Sequence, residues 1–354
     1  MSLGAHPTPR ILIVKLSSLG DVVHAMAAVQ DIRRAYPNAQ IDWVVEGAFA
    51  PVVARCEGVQ RIIPCALRQW RKKLFSPQTH GQWRAFKADL QAQAYDAVLD
   101  LQGLTKSALV SWLAQTRVGG LRYAMANRTE GSGYEAPTRW AADRAIALEP
   151  HVHAVQRARL LCAQALGYTL EGPARFGLHA VGQPAVQPQF RGQQTSPAKS
   201  GASNPFAPRK PVVALVHGTS RTDKEWPLEH WVALGQRLNH SGFCVALAHG
   251  SAAEKKVSEK IAAALDDAWV WPAMALDQLV DTMAHCAGVI GVDSGLSHIA
   301  VALDLPHVQI YNFDTAWRTG VDSARQVCVF ASPTPTVDAV WQAWDGLATP
   351  VLCQ

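Results

Sequence analysis

The sequence predicts an α/β protein made of two domains with parallel sheets. Residues 10–46 run from an apolar strand through a helical pattern to a second strand, which is how a parallel sheet begins. The second half repeats a short apolar strand, a turn of small residues and a helix three times. At 354 residues the chain also exceeds the size at which one hydrophobic core stops growing, so two cores are expected.

A linker is predicted at residues 181–210, which are rich in Pro, Gln, Ser and Gly and show no apolar period. We therefore expect an N-terminal α/β domain at 10–180 and a C-terminal α/β domain at 211–335. Residues 1–9 are expected to form a disordered tail. Residues 336–354 are expected to form a helix that packs back on the N-terminal domain.

The first strand, ILIV at residues 11–14, has four consecutive branched apolar residues, which suit a strand buried on both faces. A turn with Ser17, Ser18 and Gly20 follows, and Asp21 then leads into a helical pattern. Asp21 is expected at the carboxyl end of a central strand, where open α/β sheets bind ligands. An ordinary helix N-cap is the alternative role for this carboxylate.

The other apolar and helical patterns of the first half complete the expected sheet. Residues 122–135, RYAMANRTEGSGYE, are polar and predict a surface loop, in which Arg128 is available to line a cleft. Strands are expected at 39–46, 59–64 and 95–101, and helices at 82–93 and 151–166.

Residues 67–75, LRQWRKKLF, interleave basic and aromatic side chains. Arg68, Arg71 and Lys72 belong to this set, and bases mixed with aromatics can hold an anionic amphiphile. A solvated helical face with a few buried aromatics explains the same pattern equally well, so both interpretations stay open.

Three familiar motifs are incomplete. The segment Gly103-Leu-Thr-Lys106-Ser107 resembles the end of a phosphate-binding loop, but the earlier glycine is missing, so a Walker A site is excluded. No G-x-G-x-x-G fingerprint follows any predicted strand. In Gly-Val-Asp-Ser-Gly at 291–295 the serine comes one place too late for a nucleophile elbow, so a serine hydrolase is unsupported.

The turns after the strands of the second half predict an anion site. The N–H groups and hydroxyls around Ser294 and Gly295 stand at a helix start, which can bind phosphate. Lys224 could reach a phosphate, although a lysine in water is the commoner situation. Glu254 lies where acidic groups often hold a ribose hydroxyl, and His298 could touch a ligand or pack in the first helical turn.

Composition narrows the class of protein. A formal net charge of +5 is too weak to indicate nucleic acid as the partner. No run approaches the roughly 20 apolar residues that a membrane span needs. Seven cysteines lie scattered without a Cys-x-x-Cys, which favours buried thiols in a cytoplasmic protein.

Five motifs occur in order across both halves, over residues 10–335. They are K-x-S-S-x-G-D at 15–21, D-W-V-V-E at 42–46, D-x-Q-G-L-x-K-S at 100–107, D-K-x-W-P at 223–227 and V-D-S-G-L-S-H at 292–298. With these motifs the chain resembles the ADP-heptose:lipopolysaccharide heptosyltransferases of glycosyltransferase family 9. The resemblance implies a GT-B architecture, in which two Rossmann-like α/β/α domains face a central cleft.

The implied reaction is inverting, metal-independent transfer of L-glycero-D-manno-heptose from ADP-heptose to the Kdo residue of Kdo-lipid A. On the acceptor side the resemblance makes Asp21 the general base. The residues implied to frame this base are Lys15, Ser17, Ser18 and Gly20, and those implied to hold the anionic acceptor are Arg68, Arg71, Lys72 and Arg128.

On the donor side, the resemblance implies contacts to each part of ADP-heptose. Thr219, Ser220 and Lys224 would meet the diphosphate, together with the backbone of Ser294, Gly295 and Leu296 and the neighbouring His298. Glu254 would hold the ribose, Met274 the adenine and Asp293 the heptose hydroxyls. Tyr311–Gly320, YNFDTAWRTG, departs from the glycine- and proline-containing loop that the family more often shows, so no site residue is assigned there.

The sequence contains no Asp-x-Asp, the pair with which metal-dependent transferases commonly hold a cation, so no metal and no cofactor are expected. A monomer in peripheral contact with the cytoplasmic face of the inner membrane, without nucleic acid, is expected. Heptosyltransferase II or another glycosyltransferase acting on a later core acceptor is the first alternative. A non-catalytic nucleotide-sugar binding protein is the second, and an NAD enzyme, disfavoured by the missing glycine fingerprint, is the third.

Overall fold

The computed structural model describes residues 8–73, 76–182, 210–321 and 323–352. By its internal contacts the chain divides into two compact units, Met1–His179 and Ala180–Gln354. The expected tail at 1–9 and linker at 181–210 lie almost wholly outside the described residues. The domain bounds from the sequence stay predictions.

The first unit contains a six-stranded sheet in which all neighbouring strands are parallel. Its strands are β1 (Arg10–Val14), β2 (Gln40–Glu46), β3 (Val59–Cys65), β4 (Ala94–Asp100), β5 (Gln115–Met125) and β6 (Arg144–Ile146). Its helices are α1 (Leu19–Ala35), α2 (Ala50–Val53), α3 (Leu67–Trp70), α4 (Pro77–Leu90), α5 (Thr105–Leu113), α6 (Pro137–Trp140) and α7 (Ala154–Leu166).

The second unit contains a second six-stranded parallel sheet. Its strands are β7 (Val212–Val216), β8 (Cys244–Leu247), β9 (Ala268–Val270), β10 (Gly288–Val292), β11 (His307–Tyr311) and β12 (Gln326–Phe330). Its helices are α8 (Leu228–His240), α9 (Ala252–Ala263), α10 (Leu276–Met283), α11 (Gly295–Ala302), α12 (Ala316–Thr319) and α13 (Val337–Leu352).

Both sheets have the strand order of a doubly wound fold. The orders are β3-β2-β1-β4-β5-β6 and β12-β11-β10-β7-β8-β9. The direction of connection therefore reverses between β1 and β4, and again between β7 and β10. Ligands of doubly wound sheets bind outside the carboxyl ends of the strands at this reversal, so each unit has one expected site.

Helix α13 packs on α8, β11 and β12 of its own unit. Val340 and Trp344 of this helix are buried in the apolar core of that unit, beside Trp231 and Phe243. A side chain at Gly288 would lie 2.5 Å from the Trp344 ring, so the tryptophan needs glycine at the start of β10. The expected contact of the C-terminal helix with the first domain stays a prediction.

The structure corrects parts of the expected sheet. The interpretation of residues 122–135 as one loop was wrong, because 122–125 complete the eleven-residue strand β5. Gly119 and Gly120 interrupt the apolar pattern of this strand. A Cβ atom at Gly120 would lie 2.4 Å from the Tyr95 carbonyl oxygen of the neighbouring strand β4, so β5 needs a glycine there. The helix expected at 82–93 begins earlier, at Pro77. Strands β6 and β9 were missed because three residues are too few to show a period.

Candidate active site

Asp21 lies at the reversal point of the first sheet, in the first turn of α1. The N-cap of this helix is Ser18, and Asp21 is the third helical residue, so the alternative that Asp21 is the N-cap was wrong. Its Oδ2 accepts hydrogen bonds from the backbone N–H of Ser18 at 3.1 Å and from the Ser18 hydroxyl at 2.8 Å. The carboxylate thus completes a capping box and is held in one orientation.

Two cations approach the other oxygen of Asp21. Lys15 Nζ lies 3.8 Å and an Arg157 guanidinium nitrogen 3.7 Å from Oδ1. The Asp21 side chain is 35% exposed, whereas those of Lys15 and Arg157 are 6% and 8% exposed. The carboxylate is therefore open to an incoming group on one side and backed by buried positive charge on the other.

This environment keeps Asp21 ionised. Burial by itself would raise the pKa of Asp21, but Lys15, His24 and the hydrogen bonds from Ser18 together lower the pKa below the usual value for aspartate. A carboxylate with such a pKa is deprotonated at neutral pH and can accept a proton. A cavity of ≈ 10 Å³ beside it, lined among others by His24 and Arg157, has room for about one water molecule.

The turn that carries Ser17 and Ser18 is fixed by the neighbouring strand β4. The side-chain oxygen of Gln102 accepts from the backbone N–H groups of Leu16 and Ser17, each at 3.1 Å. Asp100 in turn accepts from the backbone N–H of Gln102 at 2.9 Å. Asp100 and Gln102 were not assigned from the sequence, although their motif at 100–107 was among the five.

The Lys15 side chain is buried and its ammonium group is bound to the protein backbone. Its Nζ donates to the Leu101 carbonyl at 3.1 Å. Burial lowers the pKa of Lys15, while the nearby carboxylates of Asp21 and Asp100 oppose that shift. Lys15 therefore supports the carboxylate from behind, and its predicted acceptor contact remains a prediction.

The predicted basic residues follow β3 at the same edge of the first sheet. Arg68, Arg71 and Lys72 are exposed, whereas Trp70 is buried, so exposed bases and a buried aromatic side chain coexist here. Residues 74–75 of the segment lie outside the described part of the chain. Arg128, which follows β5, is also exposed.

Lys106 joins this acceptor-side group, although no site role was predicted for it when the Walker A interpretation of residues 103–107 was rejected. Its Nζ donates to the Ser17 hydroxyl at 3.2 Å. Burial and then the positive charge of Arg68 lower the pKa of Lys106, while Glu46 opposes them. Lys106 therefore lies between the turn at Ser17 and the basic segment.

In the second unit, Lys224 and Asp293 meet at the reversal point between β7 and β10. Lys224 Nζ lies 2.5 Å from Asp293 Oδ2, and His298 Nε2 lies 3.2 Å from Oδ1. Thr319, a residue that the sequence analysis did not assign, donates to the same Oδ1 at 3.3 Å. Burial would raise the pKa of Asp293, but His298 and Lys224 lower the pKa below the usual value, so this buried group stays a carboxylate.

Helix α11 begins directly after this pair. Ser294 is its N-cap, and Gly295 and Leu296 are its first helical residues, all partly exposed. The Ser294 hydroxyl oxygen is buried and has no hydrogen-bond partner among the described residues. A helix start of this kind presents orphan N–H groups and a positive dipole end to an anion.

Glu254 lies beside the turn that follows β7. A Cβ atom at Gly218 would lie 2.7 Å from the Glu254 carboxyl carbon, so a side chain there would push the Glu254 carboxylate out of its present position. Glu254 Oε2 accepts from the Gly250 backbone N–H at 2.5 Å, and Thr219 Oγ1 donates to the Asp293 carbonyl at 3.4 Å. These contacts bring the ends of β7, β8 and β10 together.

Two predicted donor residues lie at the margins of this group. Ser220 is exposed in the turn after β7. Met274 follows β9, is half-buried, and its sulfur accepts from Thr282 Oγ1 at 3.8 Å. All predicted donor-binding residues thus come after the carboxyl ends of strands of the second sheet. The role of each predicted site residue, in both units, remains a prediction.

Within the described ranges, no three His, Cys, Asp or Glu side chains are grouped so that they could hold a metal ion. Among the helices described there, none combines the length and the apolar character that crossing a membrane requires.

Comparison with known proteins places these two units in a family. The family model "Glycosyltransferase family 9 (heptosyltransferase)" matches residues 83–340. Lipopolysaccharide heptosyltransferase 1 of Pseudomonas aeruginosa is 37% identical over 325 residues, which are 90% of this chain and 82% of that protein. Lipopolysaccharide heptosyltransferase 1 of Escherichia coli K12 is 36% identical over 303 residues, 85% of this chain and 87% of that protein.

Solved structures agree with the sequence comparison. The structure of E. coli heptosyltransferase WaaC with ADP superimposes with a TM-score of 0.80 at 30% identity, over 96% of this chain and 100% of that chain. WaaC with ADP-2-deoxy-2-fluoro heptose superimposes with a TM-score of 0.75 at 31% identity, over 94% and 98%. The α/β fold is therefore of the GT-B type, and the chain belongs to glycosyltransferase family 9, the heptosyltransferases.

Proposed function

We propose that this glycosyltransferase moves L-glycero-D-manno-heptose from ADP-heptose to the Kdo residue of Kdo-lipid A, with inversion and without a metal ion. Four relatives named lipopolysaccharide heptosyltransferase 1 are 34–37% identical, whereas the E. coli relative named heptosyltransferase 2 is 28% identical. This difference favours the acceptor of the first heptose transfer over a later core acceptor. The observation that carries the catalytic role is the 35% exposed carboxylate of Asp21, which buried Lys15 and Arg157 approach from behind.

On the acceptor side, Asp21 takes the proton from a Kdo hydroxyl as that oxygen bonds to the anomeric carbon of the heptose. The lone pair of the carboxylate is available because Lys15 and Ser18 keep it ionised. Lys15, Arg157 and Ser18 also hold the carboxylate in one orientation. The basic side chains of Arg68, Arg71 and Lys72 attract the anionic lipid.

On the donor side, the bond between the anomeric carbon and the diphosphate oxygen breaks as the new bond forms. ADP leaves with additional negative charge on its terminal phosphate. Lys224 and the N–H groups at the start of α11 stabilise this charge. Because attack and departure occur on opposite faces of one carbon in a single displacement, the anomeric configuration inverts.

The direct test is to incubate the protein with ADP-heptose and Kdo-lipid A and to measure the mass of the lipid product. A mass gain of one heptose is expected, and Asp21→Asn should form this product at a rate lower by a factor of ~100 or more. A parallel reaction offers an already heptosylated core. Product only in that reaction would move the assignment to a later acceptor, and product in neither would contradict the proposal.

We further propose that the protein works as a monomer on the cytoplasmic face of the inner membrane. Trp112 on α5 and Trp140 on α6 are 63% and 77% exposed, and these two helices pack together. Arg139 and Arg144 nearby are exposed as well. Tryptophan prefers the interface between lipid and water, and arginine is attracted to anionic headgroups.

Sedimentation with vesicles tests this membrane contact. Vesicles containing anionic phospholipid should retain the protein, and replacing both Trp112 and Trp140 by serine should release it without loss of folding. Retention of the double variant would contradict this surface. Light scattering should give the mass of one chain.

A further inference from the structure

We infer that the segment Tyr311–Gly320 is part of the donor site, where Asn312 and Thr319 act as positioning residues for the Lys224–Asp293 pair. This is the segment to which the sequence resemblance assigns no role. The inference rests on the proposed function of Lys224 as a diphosphate ligand. It is carried by contacts that lie entirely within the second unit.

Asn312 holds the backbone on both sides of Lys224. Its side-chain N–H₂ group donates to the carbonyls of Asp223 at 3.0 Å and Glu225 at 2.8 Å. These are the residues immediately before and after Lys224. Because both flanking carbonyls are bound to one rigid amide, the direction in which the Lys224 side chain leaves the backbone is set by Asn312.

The orientation of this amide is itself determined. Thr334 Oγ1 donates to Asn312 Oδ1 at 2.8 Å, so the oxygen side of the amide is occupied and the N–H₂ side faces the turn. Asn312 directly follows the buried Tyr311 at the end of β11. The clamp is thus anchored at the end of β11 and oriented by Thr334, which lies between β12 and α13.

The same segment holds the other member of the pair. Thr319 Oγ1 donates to Asp293 Oδ1 at 3.3 Å and lies 3.1 Å from the Tyr311 hydroxyl. The Arg221 guanidinium, at the start of the Lys224 turn, lies 5.8 Å from the centre of the Phe313 ring. Asp293 and the Lys224 turn are therefore fixed from one side by a single stretch of chain.

Asn239 provides a matched control. Its side-chain amide also donates to two carbonyls, those of Phe243 at 3.1 Å and Asp267 at 3.0 Å. These contacts lie at the amino-terminal ends of β8 and β9, whereas Lys224 follows the carboxyl end of β7, at the opposite edge of the sheet. An alanine at Asn239 removes the same kind of clamp without touching the donor residues.

The test measures ADP affinity by calorimetry, and thermal stability in parallel, on the full chain. Asn312→Ala and Asn312→Leu should weaken ADP binding about tenfold, because a Lys224 side chain that is no longer held in place would lose a charge-assisted hydrogen bond to phosphate, which contributes about this much. Asn312→Gln, which keeps the donor, should recover part of the affinity. Asn239→Ala should lower the melting temperature and leave ADP affinity within about twofold.

A double-mutant cycle with Lys224→Met decides whether Asn312 acts through the lysine. In the Lys224→Met background, Asn312→Ala should change ADP affinity little. The inference is overturned if Asn312→Ala and Asn312→Leu bind ADP like the wild type, or if the full loss persists without the lysine. Failure of the wild type to bind ADP would instead overturn the proposed function.

Discussion

Lys224 Nζ lies 2.5 Å from Asp293 Oδ2, so the cation proposed for the diphosphate is held by the carboxylate proposed for the sugar. The two side chains are 15% and 5% exposed. An ammonium has three N–H donors, so one can stay on Asp293 while the others meet phosphate oxygens. The pair can thus place the diphosphate and the heptose relative to each other.

Lys224→Met should weaken ADP binding by a factor of ~10 or more, because methionine keeps the length of the side chain and removes its charge. Calorimetry with ADP measures this effect. Lys210→Met is the matched control, since Lys210 is an exposed lysine of the same unit in an ion pair with Asp267 at 2.8 Å. Equal losses in the two variants would show that overall charge, and not the site, attracts ADP.

Asp21→Asn should lower kcat by a factor of ~100 or more, because the amide cannot accept the acceptor proton. ADP affinity should stay unchanged. Asp31→Asn is the control: Asp31 lies on the same helix, and its ion pair with Arg159 at 2.6 Å is buried. That variant should lose stability and keep turnover per folded molecule. Full activity of Asp21→Asn would remove the base from the mechanism.

The acid limb of kcat/KM reports the pKa of Asp21, since the base must be deprotonated. Lys15 lowers this pKa against the effect of burial, to below the ordinary 3.8, so the wild-type limb should lie below that pH. Lys15→Met removes the charge, the pKa rises, and the limb should move toward neutral pH. Profiles are compared with those of Lys210→Met and corrected for folding. Coincident limbs would contradict the role given to Lys15.

Gly218→Ala should weaken ADP binding, because the new Cβ atom would lie 2.7 Å from the Glu254 carboxyl carbon and would displace that carboxylate. Gly346→Ala is a control in helix α13, where an added side chain meets nothing within 4 Å. That change should raise the free energy of unfolding by about 0.5–1 kcal/mol and leave activity unchanged. Unaltered ADP affinity in Gly218→Ala would argue against Glu254 as a ribose ligand.

Activity should persist in excess EDTA, because Lys224 and the N–H groups of α11 are proposed to carry the leaving diphosphate. The mass assay on the lipid product measures this directly. Loss of product with EDTA, restored by added Mg²⁺, would refute metal independence.

The local sequence was sufficient to predict the strands whose ends carry the proposed acceptor and donor residues. Asp21 and Lys224 come after the apolar runs ILIV and VVALV, and Asp293 directly follows the small, apolar segment GVIGV. Such segments predict buried strands, and the carboxyl ends of parallel strands meet at one edge of a sheet. Short or interrupted strands such as β6 and β9 could not be predicted, because three residues show no period.

By itself, the sequence determined the α/β class, the two-domain plan, and the family through five ordered motifs. Only the tertiary structure decided which charges surround the key groups. Arg157 reaches Asp21 from 136 positions away, and Asn312 reaches the carbonyls beside Lys224 from nearly 90 positions away. Such contacts form when parallel strands bring distant turns to one edge, and no local pattern along the chain records them.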